Sequence, residues 1–291
     1  MSVKPYVGRF APSPSGPLHL GSLVAAVGSY LQARSQQGQW LVRIEDIDPP
    51  REQAGASKVI LKQLEQFGLH WDDSVLYQSQ RLTAYQQQID QWLHQQAAYY
   101  CQCTRKQIKA AGGYYLSTCR DLALNGDNCA TRLSASRPIY SFNDQLAGEV
   151  TIPKALAEED FIIKRRDGLY AYNLAVSLDD AEQGVTEVVR GADIILTTGR
   201  QLAIFELLAK AAPNYLHLPL VLDEHGNKLS KQNHAPSISG KQNQQLLLQA
   251  LRYLGQASEA GWLELSCEQI LNKALANWQL SAIPKISLHS Q

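Results

Sequence analysis

The sequence has no run approaching the roughly 18 consecutive apolar residues of a membrane span. Its N-terminus lacks the basic-then-apolar layout of a signal peptide. Membrane-embedded and exported classes are thereby set aside, and a cytoplasmic protein that engages no membrane is expected. Charge of one sign is also missing: 27 basic residues meet 27 acidic ones. Any nucleic-acid partner must therefore be held by local patches and shape, not by a global positive field. The cysteines number only five, an odd count in a chain without export signals, which argues against a disulfide framework. Internal repeats and long low-complexity segments are absent too.

What remains is an ordinary globular composition. With 291 residues and 45% hydrophobic content, the chain can bury a proper core as one large domain or two modest ones. Tyr6 to Phe10 reads as a short buried strand, broken by a proline and glycine run, after which Gly21 to Arg34 carries apolar residues at helical spacing. Trp40 to Asp46 is a second strand ending at Pro49-Pro50, and Ala54 to Phe67 a second helix. Such alternation predicts a doubly wound parallel sheet. From Ala98 the pattern breaks into cysteines and glycine turns, with strand-like pieces at Pro138–Phe142, Glu149–Ile152 and Phe161–Lys164. This stretch reads as an inserted small α+β domain. Val185–Arg190 reads as a strand returning to the sheet, Gly199–Ala211 as a helix capped by Thr197 or Thr198, and Leu218–Leu222 as a further buried strand. Ser239–Gln256 and the tail from Cys267 read as helical. The expected boundaries are 1–97 with 185–236 for the parent domain, 98–184 for the insertion and 237–291 for a C-terminal helical region.

Two clusters suggest nucleotide chemistry. In Pro12-Ser13-Pro14-Ser15-Gly16-Pro17-Leu18-His19-Leu20-Gly21-Ser22, prolines stiffen the loop and Gly16 and Gly21 let backbone approach a ligand. His19 stands near a helix N-terminus, where phosphate is welcome, so its ring and the helix dipole suit charge growing on an α-phosphate. The plain alternative is a proline-rich turn with a capping histidine. Lys228-Leu229-Ser230-Lys231 follows a turn-rich acidic loop and, taken alone, is most often a solvated surface loop.

Cys101, Cys103 and Cys119 offer three thiolates of the kind tetrahedral zinc prefers, and a structural site closes with a fourth ligand. Tyr115 lies four residues before Cys119, on the same face if that stretch is helical, while Cys129 would complete an all-thiolate set. Chemistry alone favours Cys129, because a tyrosine must have its pKa of about 10 lowered by the metal. Reduced, buried cysteines are the competing reading, and Cys267 reads as core. Lys164-Arg165-Arg166 suits either a solvated hairpin tip or a phosphate contact.

The first cluster resembles the HIGH signature of class I aminoacyl-tRNA synthetases, in the form with Pro-Ser-Pro-Ser-Gly before His-Leu-Gly found in the glutamyl and glutaminyl enzymes. Lys228 to Lys231 resembles their KMSKS loop, with Gln232 in place of the last serine. The resemblance runs from Tyr6 to Lys231. It implies a Rossmann-type catalytic domain split by an acceptor-binding insertion with a zinc knuckle, and a short C-terminal helical region. It also implies that ATP is bound by His19, Gly21, Lys228 and Lys231, with His19 and Lys231 catalytic and Mg2+ on the phosphates. Glutamate would be held by Arg9-Phe10-Ala11-Pro12-Ser13, Glu45, Tyr172 and Arg190, the last forming a bidentate pair with the side-chain carboxylate. Val176 stands where glutamyl enzymes commonly carry asparagine. For zinc the resemblance favours Tyr115 beside Cys101, Cys103 and Cys119, with Asp121 where such knuckles often place a histidine.

About sixty residues follow Lys231, too few for anticodon-binding domains. This implies a truncated paralogue, a monomer, that activates L-glutamate without tRNA and attaches it to queuosine in the anticodon loop of tRNA(Asp). The alternatives are charging of a tRNA 3′ end, a small-molecule nucleotidyltransferase and an idle tRNA-binding paralogue.

Overall fold

In the computed structural model, which describes residues 5–222, 237–238 and 242–286, the chain opens with strand β1 (Val7–Phe10), buried throughout. Helix α1 (Leu20–Ser35) leads to β2 (Gln39–Ile44), and α2 (Ala56–Gln66) to the short β3 (Leu76–Tyr77). β1, β2 and β3 pair in parallel. Near-continuous burial along β1 and β2 is what a parallel sheet covered on both faces demands.

Helix α3 (Leu82–His94) leads outward to β4 (Ala98–Cys101), the short α4 (Arg105–Ala110) and β5 (Ala130–Leu133). A hairpin of β6 (Ser141–Asp144) and β7 (Gly148–Thr151) follows, then a one-turn helix α5 (Lys154–Ala157) and β8 (Phe161–Lys164). The chain returns through α6 (Tyr172–Glu182), β9 (Glu187–Gly191), α7 (Thr198–Leu207) and β10 (Asn214–Leu218). Two helices close the described chain, α8 (Asn243–Tyr253) and α9 (Cys267–Ala276).

β9 and β10 are parallel, and β10 pairs in parallel with β6 through Tyr215 and Asp144. Thr186 N donates to Val7 O at 2.9 Å, and Val7 N to Thr186 Oγ1 at 2.9 Å. The start of β9 therefore lies beside β1, with β2 and β3 on one side and β10 and β6 on the other. That reversal of strand order is the switch point of a Rossmann-like fold, outside whose strand C-termini ligands bind.

Of the span 98–184, β4, β5 and β8 form an antiparallel sheet of their own. The β6–β7 hairpin instead extends the parallel sheet. Leu247, Leu251, Ile270 and Leu271 of α8 and α9 are buried in the same core as Leu23, Val27 and Leu31 of α1. Each such side chain contributes about 1.5–3 kcal/mol, so the C-terminal helices are part of the main core.

Three local expectations are corrected. Among the described residues the last strand is Asn214–Leu218, not Leu218–Leu222, because Pro219 has no N–H with which to continue the ladder. The strand expected at Pro138–Phe142 lies at Ser141–Asp144, set by its pairing with β7 and β10. Neither Thr197 nor Thr198 caps α7 with its side chain: Thr197 Oγ1 donates to Ile194 O at 2.7 Å, and Thr198 Oγ1 accepts from Arg190. Among the described residues no helix is long and apolar enough to cross a membrane.

Candidate active site

The proline-rich loop runs from the end of β1 to the start of α1 across the switch point. Backbone bonds hold it: Glu45 N donates to Pro12 O (3.0 Å), Gln53 N to Pro14 O (2.9 Å) and Ile238 N to Leu18 O (3.0 Å). Gly16 has φ of +128°, and a Cβ there would meet the Gln53 side chain at 3.1 Å, so this turn requires glycine. His19 is the N-cap of α1, its Nδ1 accepting from Ser22 N at 3.3 Å. That bond assigns the ring proton to Nε2, so the Nε2–H is a donor at a helix N-terminus, where anions are favoured. Gly21 lies in the same first turn.

On the β1–β2 side, Arg9 is clamped by Asp180 of α6, with Nε–Oδ1 at 3.0 Å and Nη2–Oδ2 at 3.2 Å. Arg43, fully buried in β2, has Nη2 2.7 Å from Asp180 Oδ1, without the angle of a hydrogen bond, and 3.7 Å from Glu45 Oε1. Its Nε lies 4.0 Å from Asp179, which also accepts from Gln78, Tyr85 and Arg81. Burial pushes the Asp180 carboxyl up, but Arg43 and Arg9 outweigh it and hold the group below its ordinary range. Burial pushes Glu45 up to about 7, against the pull of Arg43 and Arg9. Glu45 Oε1 is buried and has no hydrogen-bond donor among the described residues. An orphaned carboxylate oxygen of this kind suits a cationic ligand group.

Across the switch point, Arg190 is the penultimate residue of β9. Its Nε donates to His217 Nε2 (3.0 Å), Nη1 to Gln201 Oε1 (2.8 Å) and Tyr172 OH (3.3 Å), and Nη2 to Thr198 Oγ1 (2.9 Å). The guanidinium also lies over the Tyr215 ring, 5.1 Å from its centroid. His217 Nδ1 lies 2.7 Å from Asp144 Oδ2. Burial, aided by Arg190, pushes the His217 imidazolium down to about 4 despite Asp144. All four partners of Arg190 are thus neutral near pH 7. Among the described residues no carboxylate ion-pairs with it, and the strand-end salt bridge to Asp193 does not form. Tyr172 lies within electrostatic reach of both Arg190 and Glu45, and Val176, one turn further along α6, is fully buried.

The cysteines of the insertion also converge. Cys101, Cys103 and Cys119 place their sulfurs within 4.8 Å of one another, with Cys103 and Cys119 at 3.5 Å. Tyr115 accepts from Cys119 N at 2.9 Å and contacts the Cys101 and Cys119 side chains. Cys129 is outside this group. Burial pushes the Cys119 thiol up, but hydrogen bonds from the Gln102 backbone and Tyr115 outweigh it and draw it down to about 7. Buried Asp160 anchors the loop, accepting from Ser117 (2.7 Å), Arg120 (2.7 Å) and Ala135 N (2.7 Å). The basic tip is tied down: Lys164 donates to Gln86 (2.6 Å) and Arg166 to Gln102 O (2.6 Å), and Arg165 pairs with Asp167 (2.5 Å).

The structure thus places Arg9 to Ser13, His19, Gly21, Glu45, Tyr172 and Arg190 around one switch point. Lys228 and Lys231 lie outside the described residues. Sequence reasoning missed Arg43, Asp180, Asp144, His217 and Gln201. A charge inside the apolar strand Leu41-Val42-Arg43-Ile44 was a usable signal. Asp144 and His217 gave none, because they meet only through the β6–β10 pairing.

A model of the family described as tRNA synthetases class I (E and Q), catalytic domain, matches residues 6–277. The glutamyl-Q tRNA(Asp) synthetase of Photobacterium profundum is 59% identical over 282 residues, covering 97% of this chain and 91% of that enzyme. The glutamyl-Q tRNA(Asp) synthetase of Escherichia coli (strain K12) is 56% identical over 284 residues, covering 97% and 92%. Among solved structures, a glutamate tRNA ligase from Elizabethkingia meningosepticum, in complex with its amino acid, superposes with a TM-score of 0.79. At 24% identity it covers 98% of this chain and 66% of its own, a likeness of fold to an enzyme that this chain spans for just under two-thirds of its length.

Proposed function

The chain belongs to the family of class I tRNA synthetases for glutamate and glutamine, in its glutamyl-Q tRNA(Asp) synthetase branch. From that premise we propose that it activates glutamate with ATP, independently of tRNA, and transfers it to the queuosine base at the wobble position of tRNA(Asp). The observation that carries the amino-acid assignment is a juxtaposition at one switch point. Arg190, a guanidinium with only neutral partners, and Glu45, with a buried carboxylate oxygen lacking a donor, both lie within electrostatic reach of Tyr172. An amino acid with a second carboxylate supplies the counter-charge for Arg190 and, through its ammonium, the donor for Glu45. A glutamine amide would leave Arg190 without its counter-charge, and buried mismatches of that kind discriminate strongly.

In this reading the glutamate side chain pairs with Arg190, and its ammonium meets Glu45 beside the Arg9–Ser13 run. The α-carboxylate then attacks the ATP α-phosphorus. A new P–O bond forms, the bond to the bridging oxygen breaks, and pyrophosphate leaves with the electron pair. His19 Nε2–H stabilises charge growing on the α-phosphate, a preorganised donor worth about a hundredfold in rate. Lys228 and Lys231 of the late basic loop act on the departing phosphates, whose charge Mg2+ shields. A hydroxyl of the cyclopentene diol of queuosine then attacks the mixed anhydride and releases AMP.

Cys101, Cys103 and Cys119 supply three converging thiols, and in this reading Tyr115, which contacts two of them, is the fourth donor to structural zinc. When bound, zinc would cross-link residues 101–119 and hold the insertion in shape. Metal analysis should find about one zinc per chain, and Cys103→Ser should remove it and lower the melting midpoint. Unchanged metal content and melting would defeat this assignment.

Glutamate-dependent ATP–pyrophosphate exchange should proceed without tRNA, and its absence overturns the activation step. Labelled glutamate should enter queuosine-containing tRNA(Asp), survive removal of the 3′ adenosine, and fail to enter the same tRNA lacking queuosine. Loss of label on 3′ trimming would instead support ordinary charging.

A further inference from the structure

Arg190 has five N–H hydrogens, and four already have protein acceptors: His217 on Nε, Gln201 and Tyr172 on Nη1, Thr198 on Nη2. The bond on Nε matters most for ligand recognition. A guanidinium can present a carboxylate with a side-on fork, Nε with one Nη, or an end-on fork, Nη1 with Nη2. Because His217 takes the Nε–H, the side-on fork is closed. The end-on edge remains, and there the 3.3 Å bond to Tyr172 is the longest of the four and the one that yields first.

His217 can accept from Arg190 only if its Nε2 carries no proton. Asp144 ensures that. Its Oδ1 accepts the backbone N–H of Leu146 (3.0 Å) and of Ala147 (2.9 Å). Its Oδ2 accepts the backbone N–H of His217 (3.0 Å) and faces His217 Nδ1 at 2.7 Å. A carboxylate saturated by three backbone donors can meet Nδ1 only as an acceptor, so the ring proton resides on Nδ1. Asp144 and His217 are both wholly buried, so water cannot replace either bond.

We propose that Asp144 and His217 are positioning residues for substrate recognition. Asp144 fixes the tautomer of His217, and His217 fixes the guanidinium of Arg190 so that only its Nη1/Nη2 edge meets the side-chain carboxylate of the amino acid. The relay rests on the glutamate-activating reading above. It explains why the β6–β7 hairpin leaves the small sheet of the insertion and pairs with β10: that pairing brings Asp144 under His217.

The test is exchange kinetics on the full chain. Asp144→Asn leaves one oxygen for four donors. With the amide nitrogen toward His217, Nδ1 becomes the acceptor, the proton moves to Nε2, and two donors confront each other at Arg190. The expected result is a glutamate KM raised about tenfold or more, with kcat and the ATP KM within about threefold of wild type and poorer discrimination against glutamine. Because Asp144→Asn also disturbs the turn at Leu146, His217 is varied separately. His217→Leu should reproduce the glutamate KM increase. His217→Gln, whose Oε1 can accept from Arg190 Nε, should recover most of it at a similar melting midpoint.

A glutamate KM that does not move in Asp144→Asn and His217→Leu overturns the relay alone. Equal loss in glutamate KM, ATP KM and kcat, with no recovery in His217→Gln, overturns it as well, in favour of a merely structural role. A wild-type chain without glutamate-dependent exchange overturns the functional reading and the relay together.

Discussion

On the β1–β2 side of the switch point, Arg9 and Arg43 are 3% and 0% exposed and lie against the carboxylates of Asp179, Asp180 and Glu45. On the β9–β10 side, Arg190 is 7% exposed and surrounded by an imidazole, an amide, a phenol and a hydroxyl. All three guanidiniums are buried in one sheet, yet they face opposite electrostatic surroundings. Arg9 and Arg43 are neutralised within the fold and cross-link β1 and β2 to α6. Arg190 is solvated by neutral dipoles, which relieve the cost of burial without cancelling its charge, and that charge stays available to a ligand. Burial of an arginine therefore says little about its role; the charge state of its partners says much more.

The largest effect that follows from this contrast is on stability. Arg43→Met leaves Asp179, Asp180 and Glu45 buried with too little positive charge. Breaking a buried ion-pair network by removing one partner costs about 3–5 kcal/mol. Urea unfolding should show that loss in the variant. A midpoint within error of wild type would mean that Arg43 does not cross-link the sheet.

Arg190→Gln tests the opposite case. The neutral substitute keeps hydrogen-bonding capacity toward neutral partners, so stability should fall far less than for Arg43→Met. The glutamate KM should rise about a hundredfold, equivalent to roughly 2.7 kcal/mol. If the variant unfolded as readily as Arg43→Met while its glutamate KM stayed put, the division between neutralised and ligand-facing arginines would collapse.

The same contrast explains what was legible in the sequence. Strand β1, helices α1 and α2, and the loop carrying His19 were readable because each depends on local chemistry: apolar runs, helical spacing, a proline-glycine break. Arg190 was found through the residues flanking it. Its partners were not, since Thr198 reads locally as a helix cap and His217 as one polar residue between leucines. The strand Asn214–Leu218 was placed four residues late because the apolar run continues past Pro219, where the ladder cannot. The converging thiols of Cys101, Cys103 and Cys119 were visible as spacing. What holds their loop, buried Asp160 with Arg120 and Ser117, was not, because it spans some forty residues.

The smallest effect lies in pH dependence and sharpens the contrast from the carboxylate side. Glu45 is surrounded by Arg43 of β2, Arg9 of β1, and Asp179 and Asp180 of α6, and burial raises it to about 7. A raised carboxyl binds its proton more tightly in the folded chain than in the unfolded one. The stability it contributes is therefore present below its ordinary value of 4.5 and is lost as pH rises through about 7. A ligand ammonium on Glu45 reverses the preference, because it pairs only with the ionised form. Glutamate affinity should then improve with pH: at saturating Mg–ATP, the glutamate KM at pH 6 should be about tenfold above its value at pH 8, with the midpoint near 7. His217, at about 4, does not titrate in this window. Cys119, whose free thiol is drawn down to about 7, belongs to the insertion. Glu45→Gln separates the two: it should raise the glutamate KM and flatten the profile, whereas a profile unchanged in that variant would assign the titration to another group and leave Glu45 as one more neutralised member of the arginine cluster.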